Sequence, residues 1–366
     1  MTKIIRILLV LPILFIGGFA NAASYRAALV ADMDSGVVLY SENANVPNYP
    51  ASLTKIMTLY LTFNALEHGR LHLDDYLIVS NAAAAAEPVK LGLPAGSKIK
   101  VEDAIKAVAV HSANDVARVL AENLKGGKEG NFASLMTQVA TEIGLENTNF
   151  ENSSGLPDDD HLSTARDIAL LSIAVYKHFP QYWKYFGIKS WTYNGQTYTN
   201  GNRLLASYDG CDGMKTGFTT KSKYSLVATA RRDGRHLIAV VLGAENKDVR
   251  ASIATSLLNR GFKMIENGAA PVIKNTDVAP IANTVTKPAT VKLASGYAGV
   301  QFGAFSSRDA ALRQVKNVEQ LLHVSPTVEM ASGGLFRVRV NNIAEDAAQK
   351  LRNAATAAGI DSYVFH

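Results

Sequence analysis

The stretch PASLTKIMTLYLTFNALEHG, Pro50 to Gly69, predicts the helix around which the first part of the chain folds. Proline suits the first turn of a helix and glycine suits its end. The residues between them leave few polar faces, which is typical of a helix that is buried on all sides. Ser52 and Lys55 lie one turn apart on one face near its start.

A lysine in such a helix has two interpretations. Burial disfavours the charged form of Lys55, so the side chain can supply a neutral amine beside the hydroxyl of Ser52, and a serine beside such an amine can become a nucleophile. Alternatively, only the stem of Lys55 is buried and the head reaches water. Judged alone, the four residues Ser52 to Lys55 favour the second interpretation.

The N-terminus predicts a secretory signal peptide over residues 1–22. Lys3 and Arg6 precede the apolar run Ile7 to Ile16, and small residues at 20–22 offer a cleavage site. The apolar run is shorter than the ~20 residues that a membrane span needs, and no later segment is long and apolar enough to cross a membrane. We therefore expect an exported protein without a transmembrane anchor after cleavage.

Composition excludes several function classes. The formal net charge of +5 includes Lys3 and Arg6, so the mature chain carries +3, too little and too dispersed for a nucleic-acid-binding protein. Cys211 is the only cysteine, so no internal disulfide can form. His68 and His72 have the spacing of a helical ligand pair, but Gly69 breaks the helix between them, and we predict no metal site and no cofactor.

Length and patterning predict two domains in the 366 residues. Alternating apolar residues at 25–40 and around 211–244 indicate strands, separated by a mainly helical region, and a helix follows at about 248–265. This order predicts an α+β domain over residues 23–267 whose antiparallel sheet closes only when distant segments meet. Residues 268–295 hold three prolines and no aromatic residue, which indicates a linker.

Residues 296–366 have a different pattern of apolar residues from the first domain. Their pattern predicts a β-α-β-β-α-β order, which folds as one small sheet with both helices on one face and the other face open.

Three short motifs follow one another along the chain. Each motif alone is a weak signal, but their order and context make the set specific. After Ser52 and Lys55 come Ser112 and Asn114 in HSANDVA, and then the tripeptide KTG at Lys215–Gly217, which occurs once. Ser97–Lys100 has the same serine-x-x-lysine spacing but lacks a buried helix behind it.

These elements resemble the penicillin-recognising serine enzymes. SSGLPDDDHLSTARDIALL, NGNRLLASYDGCDGMKTGFTTKSKYSLVATA and HLIAVVLGAENKDVR extend the resemblance to the low-molecular-mass penicillin-binding proteins over about residues 24–267. The resemblance implies a penicillin-binding-protein/β-lactamase-like catalytic domain, an antiparallel sheet with a helical subdomain. It also implies D-alanyl-D-alanine carboxypeptidase activity on peptidoglycan stem peptides in the periplasm, with β-lactams as inhibitors.

The resemblance also implies roles for individual residues. Ser52 would be the nucleophile, Lys55 its general base, and Ser112 the proton relay to the leaving amine. The residues expected to bind substrate are Asn114, Lys215, Thr216, Gly217, Phe218 and Arg250. Among these, Arg250 would pair with the terminal carboxylate, and the N–H groups of Ser52 and Phe218 would form the oxyanion hole. Many relatives carry a polar residue in place of Phe218. Arg203 matches a family motif by spacing only.

The C-terminal unit resembles the SPOR domain, a module that binds peptidoglycan glycan strands. GVQFGAF and FRVRV carry this resemblance. Alternation along the strands places Gln301, Phe305, Arg337 and Arg339 on the open face, where they would bind glycan. The two arginines could equally be ordinary solvated charges.

Three alternatives to a carboxypeptidase remain open. An endopeptidase would cut cross-linked stems by the same reaction. A β-lactamase would share the acylating residues, although the glutamate-x-x-leucine-asparagine element of one major class is absent after Ser112. A wall-binding scaffold would have an inactive first domain, against which the complete set of motif residues argues.

Overall fold

The structure is a computed structural model that describes residues 24–125, 127–274, 297–330 and 335–365. The predicted signal peptide therefore lies outside the described residues, as does most of the predicted linker. Within the described ranges, no helix combines the length and the apolar character required to cross a membrane.

The elements alternate between strands and helices along the chain. The strands are β1 (Ala27–Asp32), β2 (Val38–Glu42), β3 (Tyr76–Ile78), β4 (Lys98–Lys100), β5 (Ser190–Tyr193), β6 (Gln196–Thr199), β7 (Cys211–Thr219), β8 (Lys223–Arg232), β9 (Arg235–Ala244), β10 (Val272–Lys274), β11 (Tyr297–Phe305), β12 (Thr327–Met330), β13 (Phe336–Ala344) and β14 (Tyr363–Phe365). The helices are α1 (Lys55–Glu67), α2 (Asn81–Ala84), α3 (Val101–Lys106), α4 (Asn114–Leu124), α5 (Glu129–Ile143), α6 (Ala165–His178), α7 (Leu204–Ser207), α8 (Lys247–Glu266), α9 (Arg308–Leu322) and α10 (Glu345–Ala357).

The first domain is built on a six-stranded sheet in the order β10-β2-β1-β9-β8-β7. All neighbours are antiparallel except β10 and β2, which pair in parallel. The pairing of β1 with β9 joins the beginning and the end of the domain across the helical region. This confirms the predicted α+β class. Residues 272–274, within the predicted linker, form β10.

Helices cover both faces of this sheet. Helix α8 packs on one face, and its side chains Ala254, Leu258 and Phe262 belong to the core there. On the other face α1 lies at the centre of the helical region, and every residue from Lys55 to Leu66 is buried. The predicted all-round burial of this helix is confirmed, and it provides a rigid support for the residues at its N-terminus.

The C-terminal domain is a four-stranded sheet in the order β12-β13-β11-β14 with α9 and α10 on one face. Val300, Phe302 and Val338 point to the helices and form its core. The β-α-β-β-α-β order matches the predicted one.

A β-bulge in β11 changes which residues share a face. The register with β13 shifts between Gln301 and Ala304, where Gly303 adopts a left-handed φ of 123°. An extra residue reverses the alternation, so Phe305 pairs with Phe336 and packs against the helix-side core. The prediction that Phe305 lies on the face of Gln301 is therefore wrong.

Candidate active site

Ser52 lies in the tight 3₁₀ turn Ala51–Thr54 that leads directly into α1. Pro50 precedes the turn, and Ala51 has a left-handed φ of 49°. Lys55 is the first residue of α1 and is completely buried. The turn therefore brings the serine hydroxyl and the lysine amine together at the N-terminal end of a helix that is packed in the core.

The lysine amine contacts three oxygen atoms. Lys55 Nζ donates to Asn114 Oδ1 at 2.7 Å and to the backbone oxygen of Ser154 at 2.7 Å, and it lies 3.0 Å from Ser52 Oγ. The two carbonyl oxygens can only accept hydrogen bonds. A neutral amine has two N–H groups and one lone pair, so these acceptors use both hydrogens and leave the lone pair for the hydroxyl of Ser52.

The environment favours that neutral form. Burial lowers the pKa of Lys55 well below the usual lysine value, and the positive charge of Lys215 lowers it further. Of the two interpretations left open by the sequence, the structure supports a buried amine, because the head of Lys55 does not reach water.

Ser112 precedes α4, and Asn114 is its first residue. A π-helical turn, Ala107–His111, ends at Ser112, which adopts a left-handed φ of 67°. This conformation is costly for a serine and is typical of functional sites. Asn114 begins α4, and its Nδ2 donates to the backbone oxygen of Glu87 at 2.8 Å, which orients Oδ1 toward Lys55.

The tripeptide KTG lies on β7, the edge strand of the sheet next to the turn of Ser52. Lys215 Nζ donates to Ser112 Oγ at 2.9 Å, and burial together with the charge of Arg250 lowers the pKa of Lys215 to about 7. Gly217 is required by close packing, since a Cβ there would lie 3.0 Å from the backbone oxygen of Pro50. The three motifs thus converge on one point.

The remaining predicted substrate-binding residues lie on β7 and on α8. Thr216 is half-buried, whereas Phe218 is 51% exposed and its ring centre lies 4.3 Å from that of Tyr224. Arg250, on α8, is 8% exposed, and its Nη1 donates to the backbone oxygen of Ser225 at 3.2 Å.

Arg250 retains capacity to bind an anion. Its Nε has no hydrogen-bond partner among the described residues. Burial and the charge of Arg203 lower the pKa of Arg250 to about 10. Arg203 itself is exposed and pairs with Asp248 at 2.8 Å.

Two groups at the site carry no motif and are absent from the sequence predictions. One is the backbone oxygen of Ser154. The other is His161, whose Nε2 lies 2.8 Å from Thr54 Oγ1 and whose pKa falls to about 3 because of burial and the charge of Lys55. Gly155 fixes the approach of this loop, because a Cβ there would lie 1.8 Å from the backbone oxygen of Ala51.

The predicted glycan-binding residues of the C-terminal domain occupy two sides of its sheet. Gln301, Arg337 and Arg339 share the face opposite the helices, where Arg339 Nε donates to Gln301 Oε1 at 2.7 Å. Arg337 contacts Asp160 and lies 3.9 Å from Glu151, two members of an acidic cluster in the first domain, so the face is not fully open.

Comparison with known proteins places this geometry in a family. The family model described as D-alanyl-D-alanine carboxypeptidase matches residues 20–246. The chain belongs to this family. A second model, the SPOR domain, matches residues 294–365. The first matched region contains five of the six strands of the first sheet, all but β10, and the second contains all four strands of the C-terminal sheet.

Several relatives of the D-alanyl-D-alanine carboxypeptidase family are similar to this chain. DacC of Escherichia coli is 36% identical over 76% of this chain and 71% of the relative. DacF of Bacillus subtilis is 34% identical over 66% of this chain and 63% of its own length. The structure of penicillin-binding protein 5 from Haemophilus influenzae has a TM-score of 0.63 at 33% identity, over 66% of this chain and 71% of that one.

A further structure shows a β-lactam in a member of this fold. Penicillin-binding protein D2 of Listeria monocytogenes, solved with ampicillin bound, has a TM-score of 0.60 at 32% identity and matches 65% of this chain and 98% of that one.

Proposed function

We propose that the protein is a serine-type D-Ala-D-Ala carboxypeptidase that removes the terminal D-alanine from peptidoglycan stem pentapeptides. The observation that carries the proposal is the contact set of Lys55, in which two carbonyl oxygens accept hydrogen bonds from Nζ and Ser52 Oγ lies 3.0 Å from the same nitrogen. Membership of the carboxypeptidase family gives the substrate class.

The reaction begins with the attack of Ser52 Oγ on the carbonyl carbon between the two D-alanines. The hydroxyl proton moves to Lys55 Nζ while the new C–O bond forms. The C–N bond then breaks, and the nitrogen takes the proton that Lys55 received, relayed through Ser112, which Lys215 holds by a hydrogen bond of 2.9 Å. D-alanine leaves, and water hydrolyses the ester to regenerate Ser52.

Binding uses the exposed edge of β7. The peptide pairs with this strand along Lys215–Phe218, and the N–H groups of Ser52 and Phe218 stabilise the oxyanion, each contributing roughly 3 kcal/mol. Arg250 receives the terminal carboxylate, which compensates its buried charge.

The SPOR domain binds glycan strands, so the enzyme works outside the cytoplasm in association with the cell wall. The family assignment of residues 294–365 supports this part of the proposal. Signal residues 1–22 would direct export to the periplasm. Sacculus binding that is unchanged after deletion of residues 296–366 would contradict attachment to the cell wall through the SPOR domain.

The test of the enzyme is a time course of intact mass with benzylpenicillin, with Ser52→Ala alongside, followed by assay of D-alanine release from a stem pentapeptide. We expect a persistent adduct that is absent from Ser52→Ala, and D-alanine release. An adduct that clears within seconds while penicillin is consumed indicates a β-lactamase. Cleavage of cross-linked stems only indicates an endopeptidase, and folded protein without an adduct indicates a scaffold.

A further inference from the structure

Glu129 is a carboxylate that the reaction above does not use, yet it lies behind the catalytic lysine. It is the first residue of α5, and its side chain is 16% exposed. Glu129 Oε1 accepts hydrogen bonds from the backbone N of Ser153 at 3.0 Å and from Ser153 Oγ at 2.6 Å. The next residue along the chain is Ser154, whose backbone oxygen accepts from Lys55.

Ser153 is fixed from both sides. Glu129 binds its two donors, and Thr58, one turn along α1 from Lys55, donates from Oγ1 to its backbone oxygen at 2.6 Å. Asn152 Oδ1 accepts from the backbone N of Ser154 at 3.2 Å. The position of the Ser154 oxygen, and hence of Lys55 Nζ, follows from these bonds.

The charge of Glu129 also acts on Lys55. The three oxygens that contact Lys55 Nζ are neutral. Burial and Lys215 lower the pKa of Lys55, whereas Glu129 and Asp115 raise it. His161 is uncharged near neutral pH because its own pKa is about 3. Glu129 and Asp115 therefore oppose the lowering of the Lys55 pKa, and Glu129 itself pairs with Arg118, whose Nη1 lies 3.4 Å from Glu129 Oε2.

We propose that Glu129 is a positioning residue: through Ser153 it fixes the backbone oxygen that orients Lys55, and its negative charge, at the end of this chain of hydrogen bonds, acts on the buried amine. The inference rests on the proposed function, because it assigns Glu129 to the acylation step of Ser52.

The experiment measures the acylation rate by benzylpenicillin against pH for the wild-type chain and Glu129→Gln. Glutamine keeps an oxygen for Ser153 but removes the charge, so Lys55 loses its proton more easily. Acylation requires neutral Lys55 and rises with pH, so we expect this ascending limb to move to lower pH by on the order of half a unit. A lower plateau with an unmoved limb would overturn the charge effect.

Two further variants separate position from charge. Ser153→Ala removes one bond to Glu129 and keeps its charge, so we expect a several-fold lower plateau and an unmoved limb. Glu122→Gln is the matched control, since Glu122 also pairs with Arg118, at 2.8 Å, but does not contact Ser153; we expect its profile to match the wild type.

The outcomes distinguish this inference from the proposed function. Wild-type protein without an acyl adduct would contradict the proposed function itself. Wild-type acylation together with a wild-type plateau for Ser153→Ala and an unmoved ascending limb for Glu129→Gln would contradict only the role of Glu129.

Discussion

The active site and the face of the SPOR sheet opposite the helices each hold a basic side chain that is largely shielded from water, but they surround it differently. In the active site, Lys55 Nζ contacts only neutral oxygens, of Ser52, Asn114 and Ser154. In the SPOR sheet, Arg339 Nη1 lies 3.0 Å from Glu329, and the two side chains are 12% and 3% exposed. A lysine without a carboxylate partner releases its proton readily, whereas a paired arginine remains a fixed charge that holds neighbouring strands together.

The largest effect should come from removing Lys55. Lys55→Ala deletes the proposed general base, and we expect acylation by benzylpenicillin to slow by about 10²–10⁴-fold while the far-UV circular dichroism spectrum is preserved. Lys55→Arg is the sharper variant, because a guanidinium stays charged and should be equally slow. Rapid acylation of either folded variant would contradict the role of Lys55.

The second prediction converts the active site into the paired arrangement of the SPOR sheet. Asn114→Asp places a carboxylate at a position 2.7 Å from Lys55 Nζ. The opposite charge raises the pKa of Lys55, so we expect acylation at pH 7 to fall by roughly 100-fold and to recover as the pH rises toward 10.

Asn114→Ala is the control, since it removes the same contact without adding charge. Its acylation should be slow without recovery at high pH. If the two variants have the same pH profile, pairing does not govern the base.

The third prediction concerns Arg250, whose charge we expect a substrate to pair. Charged hydrogen bonds contribute about 2 kcal/mol, so Arg250→Ala should lower kcat/KM by roughly 10–100-fold for a peptide with a free terminal carboxylate. For the same peptide with an amide terminus we expect no further loss. Arg260→Ala, an exposed position on the same helix, is the control, and an equal loss on both peptides would contradict carboxylate recognition.

The smallest effect should come from removing the charge of Glu329, the carboxylate beside Arg339 in the SPOR sheet. Glu329→Gln removes the carboxylate that lies 3.0 Å from Arg339 Nη1, and we expect the free energy of unfolding of the C-terminal domain to fall by roughly 1–3 kcal/mol with unchanged hydrolysis of small peptides. Denaturant unfolding measures the first quantity, with Glu319→Gln, an exposed carboxylate of α9, alongside. Equal stability of both variants would show that the ion pair contributes nothing.

The sequence allowed much of the catalytic geometry to be predicted because motif spacing reflects local structure. Ser52 and Lys55 share a helical turn, and Ser112 and Asn114 flank a helix start, so their side chains were identifiable before the fold was known. The burial of α1 was predictable for the same reason.

Other features depend on contacts that no local pattern encodes. The Ser154 oxygen is a backbone group, and Glu129 reaches the preceding residue, Ser153, only because α5 packs behind α1. Phe305 was misplaced because a bulge at Gly303 interrupts a period of two that alternation assumes to be continuous.

The contact between Gly155 and Ala51 has a consequence for folding. Here two backbone segments far apart in sequence meet where even a Cβ on Gly155 would lie 1.8 Å from Ala51 oxygen. Contacts with large sequence separation form late, after the cost of closing the intervening loop has been met. During refolding from denaturant, penicillin labelling should therefore return after far-UV circular dichroism, which makes the antibiotic a chemical reporter of the last stage of chain collapse.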